Sequence, residues 1–171
     1  RPAYEKVMGS VDRIKIFDIH RMDNVSVEQI IEENDPAIVV YDMLDNIRGF
    51  GDAARTDLKL EQMYSWARDM AAMHQHVGIA TSQLSADAEG FAHPTQDMLK
   101  DSKTGKQGTF DALIVIGARN DPGYANIRYM NVTKNKLRTA RGVSDPQAQV
   151  AYETRRARYT DLSEVMESTD V

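Results

Sequence analysis

Apolar residues along this 171-residue chain fall into short runs whose spacing changes from one run to the next. Arg13-Ile14-Lys15-Ile16-Phe17-Asp18-Ile19 sets isoleucines among charges and predicts a strand. Ser26-Val27-Glu28-Gln29 has the S-x-x-Q form of a capping box, so a short helix is expected from there to about Asn34, with Val27, Ile30 and Ile31 inward. Asp35-Pro36 should stop it, because proline disfavours helical backbone in the residue before it. Ala37-Ile38-Val39-Val40-Tyr41 is continuously apolar and predicts a central parallel strand covered on both faces. After the glycine loop Asn46-Ile47-Arg48-Gly49-Phe50-Gly51, Thr56 or Asp57 can cap a second helix. Leu60, Met63, Ala67, Met70 and Ala71 recur there at helical spacing, and Gly78 is expected to end it.

Val77-Gly78-Ile79-Ala80 then reads as a second apolar strand, running on to Thr81-Ser82-Gln83. Residues 85–108 form a long polar stretch, and a loop of that length in a compact domain is usually functional or mobile. Ala112-Leu113-Ile114-Val115-Ile116-Gly117 is another buried strand, and Asn120-Asp121-Pro122-Gly123 is a turn. Residues 125–134 predict an antiparallel strand, residues 149–153 and 158–160 a terminal hairpin, and residues 164–171 a frayed end. The order strand, helix, strand, helix, strand, then strands is an α/β pattern with a mostly parallel sheet. Ligands in such sheets sit at the C-terminal strand edge, which here carries Asp42 and Gln83.

Composition narrows the chemistry. The chain is 42% hydrophobic and 27% charged, as in ordinary globular proteins, and its length fits one domain. It has no cysteine, which excludes disulfides, zinc–thiolate sites and a thiol nucleophile. No apolar run approaches the roughly 20 residues that span a membrane. The first residue is Arg1 rather than Met, so a fragment of a longer protein is expected. A net charge of −5 does not point to nucleic acid, although local patches decide such binding.

Asp42 ends the first apolar strand, and a carboxylate at a strand tip is the kind of oxygen ligand magnesium takes alongside phosphates and water. It can equally end a strand and cap a turn. Asp45 is a rival ligand, less favoured because it lies beyond the apolar run. Gln83 offers a neutral amide that can hydrogen-bond a phosphate or an attacking water, or it is simply a polar residue at a strand end. The stretch from Asp97 to Gly108 holds Lys100, Lys103 and Lys106 with two glycines, a composition suited to a phosphate backbone or to a solvated loop. Lys134-Asn135-Lys136-Leu137-Arg138-Thr139-Ala140-Arg141-Gly142 carries four cations and no acid. Such a cluster can complete a neighbour's nucleotide site, contact nucleic acid, or form a solvated turn. His74 and His76 are two apart, and His20 and His93 are isolated, so no histidine metal set is predicted. No G-x-x-x-x-G-K-[ST] phosphate loop occurs.

Taken together, Ile38-Val39-Val40-Tyr41-Asp42, Thr81-Ser82-Gln83-Leu84-Ser85, Asp101-Ser102-Lys103-Thr104-Gly105 with Phe110-Asp111-Ala112, and Lys134-Asn135-Lys136 resemble the ATPase domain of DnaB-like replicative helicases, phage versions included. The resemblance spans roughly residues 13–160 and lies in the order and spacing of the motifs. It implies a RecA-like α/β fold with a mostly parallel central sheet flanked by helices and antiparallel strands or a hairpin at the C-terminal end. The domain would span residues 1–162 and a tail residues 163–171. It implies ATP and Mg2+ as cofactors, with Asp42 as the Walker B acid and Gln83 as the phosphate sensor. Lys134 and Lys136 would act in trans, with Arg138 as a substitute; the family often has Arg where Lys136 stands. Lys100, Lys103 and Lys106 would contact DNA, and Arg48 joins them. Single-stranded DNA, a homo-hexamer and a cytoplasmic location follow from the same likeness. The Walker A loop and catalytic glutamate would lie upstream of Arg1, leaving these residues alone inactive. A RecA-type recombinase-like ATPase and a catalytically dead interaction module of the same fold are the alternatives.

Overall fold

The computed structural model describes residue 6 and residues 9–51, 56–99, 108–139, 142–143 and 145–162. Two helices and six strands make up the regular structure among them: α1 (Asn24–Asn34), β1 (Ile38–Tyr41), α2 (Thr56–Met73), β2 (Val77–Ala80), β3 (Ala112–Gly117), β4 (Ile127–Asn135), β5 (Gln147–Glu153) and β6 (Arg158–Asp161), joined by short 3-10 turns. β1 and β2 pair in parallel, and β3–β4–β5–β6 form a separate antiparallel sheet. The expectation of a mostly parallel central sheet is therefore corrected. The described residues hold one parallel pair, and consecutive strands after β3 are close enough in sequence to fold back as hairpins.

α1 starts earlier than the capping-box pattern places it. The Asp23 carboxylate accepts the Ser26 amide at 2.9 Å and serves as N-cap. Backbone bonds on either side fix it: Asn24 N donates to Arg48 O at 2.9 Å, and Arg48 N to Met22 O at 3.2 Å. The helix ends where Asp35-Pro36 predicts, with Asp35 in the left-handed region at φ 42°. Val27 and Ile31 are buried, and Ile30 is half-buried. They join Tyr41, Leu44, Ile47, Leu60, Met63 and Tyr64 in one core, with Trp66 edge-on to Tyr41 at 5.9 Å. α2 stops at Met73, not at Gly78. Gln75 takes the left-handed turn at φ 53°, and Gly78 sits inside β2 opposite Val39.

Residues 14–18 form no strand. Ile14 and Ile16 are 53% and 92% exposed, and an alternating segment without a partner has nowhere to place its backbone hydrogen bonds in a sheet. β1 departs from expectation in another way. Its Val39 and Tyr41 pack on the core, while Ile38 and Val40 point outward at 58% and 62% exposure. Register pairs Ile38 with Val77 and Val40 with Ile79, and these last two are 60% and 48% exposed. Four aliphatic side chains thus form one open patch on the face of the parallel pair away from α1 and α2. β3 repeats the pattern, with Ile114 and Ile116 outward and Val115 buried.

The β4 strand and the β5–β6 hairpin lie where the sequence places them. In the long stretch after β2, turns at Ala86–Ala88 and Gln96–Met98 and a bridge between Leu84 and Leu99 replace the expected lack of structure up to residue 99. This stretch packs on the antiparallel sheet. The Asn131 amide donates to Pro94 O at 3.1 Å, His93 meets Tyr129 edge-on at 5.4 Å, and a Cβ at Gly117 would lie 2.6 Å from Pro94 Cδ and overlap the carbonyls of Phe91 and Ala92. Only glycine permits that approach.

Candidate functional site

Parallel pairing sets the site. Tyr41 pairs with Ala80, so the next residue of each strand, Asp42 and Thr81, emerges side by side at the C-terminal edge. The Thr81 hydroxyl donates to Asp42 Oδ1 at 2.9 Å and accepts the Met43 amide at 2.7 Å, while Thr81 N donates to Tyr41 O at 3.1 Å. Met43 turns the chain away at φ 61°, which leaves Asp42 exposed with Oδ2 toward solvent and no protein partner for it among the described residues. A charged oxygen beside a hydroxyl is a donor set that suits a hard divalent cation such as Mg2+. Sequence reasoning did not weigh Thr81 as a site residue. Its signal was its position, one residue past β2 just as Asp42 is one past β1.

Asp45 is occupied differently. Its Oδ2 accepts the Ser82 hydroxyl at 3.1 Å in a half-buried setting. The Tyr64 hydroxyl shares this pair. Burial pushes the phenol well above its ordinary range, the Ser82 hydrogen bond opposes that shift, and the Asp45 carboxylate adds to it. Tyr64 therefore stays protonated, and Asp45 is tied into the structure while Asp42 is presented. Tyr41, with burial alone acting on it, is pushed up to about 12. Gln83 is exposed just past β2 and carries no hydrogen bond among the described residues.

The basic cluster lies elsewhere. Lys134 ends β4 with its ammonium 5.6 Å from the centre of the Phe110 ring. Burial lowers its pKa first, Lys136 lowers it further, and Asp111 opposes both. Lys136 Nζ reaches Asp111 Oδ1 at 3.5 Å and Gly108 O at 3.3 Å, and Arg68 on α2 reaches the same Asp111 oxygen at 3.1 Å. The cluster is free of acids in sequence but not in space. Arg138 is exposed beyond β4, and Arg48 is exposed in the loop beside α1. Among the described residues no hydrogen bond or ion pair joins Asp42 or Gln83 to Lys134, Lys136 or Arg138. The two groups communicate through α2 instead. Tyr64 touches Ser82 and Asp45 on one side and stands edge-on to Phe110 at 5.6 Å on the other, and Phe110 lies under Lys134. Lys100, Lys103 and Lys106 lie outside the described residues.

Comparison with solved structures gives the fold a reference. The chain is similar to a DnaB-like replicative helicase whose interactions with primase were studied, with TM-score 0.72 and 19% identity over 94% of this chain and 40% of that one. It is also similar to a second helicase ATPase domain, with TM-score 0.62 and 19% identity over 81% of this chain and 49% of that one. The chain has the fold of a helicase ATPase domain. It spans less than half the length of either structure. No family model and no curated protein matches it. Among the described residues no helix is long and apolar enough to cross a membrane.

Proposed function

We propose that these residues are part of the motor of an ATP-dependent replicative DNA helicase, a ring of identical subunits, six by the resemblance, in which ATP hydrolysis drives translocation on single-stranded DNA and unwinding. The observation that carries this reading is the exposed Asp42 carboxylate beside the Thr81 hydroxyl at the C-terminal edge of a parallel strand pair, in a chain with a helicase ATPase fold. Asp42 and Thr81 would hold Mg2+, which when bound would neutralise charge on phosphate oxygens. Gln83, one strand over and unengaged, would sense the terminal phosphate. Lys134, Lys136 and Arg138 would act across a subunit boundary, where cations stabilise charge on a transferred phosphoryl group. Lys100, Lys103, Lys106 and Arg48 would contact DNA phosphates. The open aliphatic face of β1 and β2 supports a domain completed by further polypeptide, and the residues that cradle the triphosphate would belong to that part.

The test is Asp42→Asn in a protein that carries these residues together with a phosphate loop. DNA-stimulated ATP turnover should fall by about 100-fold or more, the scale of losing one fixed charge-stabilising group, with the ring still assembled. Turnover within about tenfold of the parent's would overturn the role of Asp42. Magnesium-dependent turnover by the 171-residue chain alone would overturn the assignment of the phosphate cradle to other residues.

A further inference from the structure

The N-terminal end of the strand pair carries a second group of ligating side chains. Glu28 and Glu32 stand one turn apart on α1, and His74 follows the last turn of α2. One oxygen from each carboxylate and one ring nitrogen of His74 all lie within 4.8 Å of one another. Two carboxylates at i and i+4 repel, so this pair opposes α1 unless a cation sits between them. A second observation points the same way. His74 Nε2 is enclosed and has no hydrogen-bond partner among the described residues, although a buried ring nitrogen ordinarily finds one. The His76 ring stacks beside it at 6.4 Å and is itself buried with both nitrogens unpaired. Among the described residues no lysine or arginine pairs with these acids; Lys15, the basic residue bonded to α1, reaches Asn34 instead.

We propose that Glu28, Glu32 and His74 bind a divalent transition-metal ion that clasps α1 to the end of α2. One imidazole nitrogen with two carboxylate oxygens suits Zn2+ or a neighbouring first-row ion better than Mg2+ or Ca2+, which take oxygen ligands throughout. Ligand bonds of about 2.1 Å at a tetrahedral angle separate donors by about 3.4 Å, so the group must tighten from its present span. Glu32 is exposed and free to change rotamer for this. Glu28 also lines an open hollow of about 840 Å3 beside Met70 and Met73, through which an ion can enter and water can complete the coordination.

Calorimetric titration of the metal-free 171-residue chain with Zn2+ at pH 7.5 should show one site. At a hundredfold excess over the dissociation constant, the melting temperature should rise by about 5–10 °C. Glu32→Gln and His74→Gln should each weaken binding at least tenfold and abolish the rise, while His20→Gln should leave both unchanged. Metal-free Glu32→Gln should melt at or above the parent temperature, because it removes a repulsion and its side chain is exposed. Co2+ should give visible absorption bands in the parent chain that both ligand variants lose, a readout independent of stability. Zn2+ affinity unchanged within twofold in Glu32→Gln and His74→Gln, or no binding at 100 micromolar Zn2+ (about the weak end for a built site), would overturn the proposal.

Discussion

The two faces of β1 should respond to truncation by very different amounts. Leu44, just past β1, is 1% exposed. Leu44→Ala removes about three buried carbons at roughly 0.8 kcal/mol each. The cavity left behind brings the expected cost to about 3–4 kcal/mol. Val40 is 62% exposed. Val40→Ala removes two carbons of which little more than a third is covered, so transfer accounts for about 0.6 kcal/mol. The lost β-propensity of valine raises this to about 1 kcal/mol. Urea unfolding of the chain and both variants, followed by far-UV circular dichroism, measures the difference directly. A Val40→Ala cost above about 2 kcal/mol would refute the reasoning, because it would mean that the outer face is covered in solution. Repeating the pair in a protein with a complete ATPase domain gives the converse expectation. There Val40 is covered, and its truncation should cost about 1.5–2.5 kcal/mol while Leu44→Ala changes little between the two contexts.

Gly117→Ala should destabilise by about 2 kcal/mol or more, the scale of overpacking against backbone, because its Cβ would overlap the carbonyls of Phe91 and Ala92; a variant melting within 2 °C of the parent would show that this contact is loose. The Asp23 carboxylate is held below the usual range, first by the Ser26 side chain and then by the Ser26 amide. Its folded pKa lies below the unfolded one, so its contribution is present above the unfolded value of 3.8 and is lost as pH falls through the folded value; Asp23→Asn should therefore flatten the loss of stability below about pH 4, and an unchanged slope would remove the cap from that account. Tyr64→Phe, which keeps the ring on Phe110 but drops the hydroxyl that meets Ser82 and Asp45, should cost about 1–2 kcal/mol by leaving buried acceptors short of a partner; no change in the unfolding midpoint would show that the hydroxyl is not engaged.

Local signals in the sequence translated into structure wherever the partner of an element lies nearby in the chain. α1 ends at Asp35 because a proline follows, and β4, β5 and β6 pair with neighbours reached through short connections. Start positions were less legible. Ser26 and Asp23 are both good caps, and a backbone bond from Asn24 to Arg48, 24 residues away in sequence, selects Asp23. The same limit applies to the site. That Asp42 and Gln83 end two apolar strands was visible in the residues; that Thr81 would be the nearer companion of Asp42 depended on the register Tyr41 to Ala80, which no local pattern records. Likewise the basic run ending β4 looked uncompensated because Asp111 lies 25 residues from Lys136, and only antiparallel pairing of β3 with β4 brings them together.

The segment most misread is also the most telling about the whole. Alternation of apolar and charged residues at 13–19 states a preference for extended backbone but says nothing of whether an edge is available to accept it, and Ile16 stays almost fully exposed. Continuous apolarity at 37–41 states something stronger. A strand open to water on one side gains nothing from aliphatic residues on that side, and antiparallel sheets with one wet face place polar residues there. β1 and β2 place Ile38, Val40, Val77 and Ile79 there instead. Their composition is written for two covered faces, the described residues supply one cover, and an aliphatic patch of this kind is ordinarily a contact surface rather than a solvent boundary. The reading of β1 as a central strand thus describes the domain for which the residues are suited, while the exposure describes the part of it that these 171 residues build.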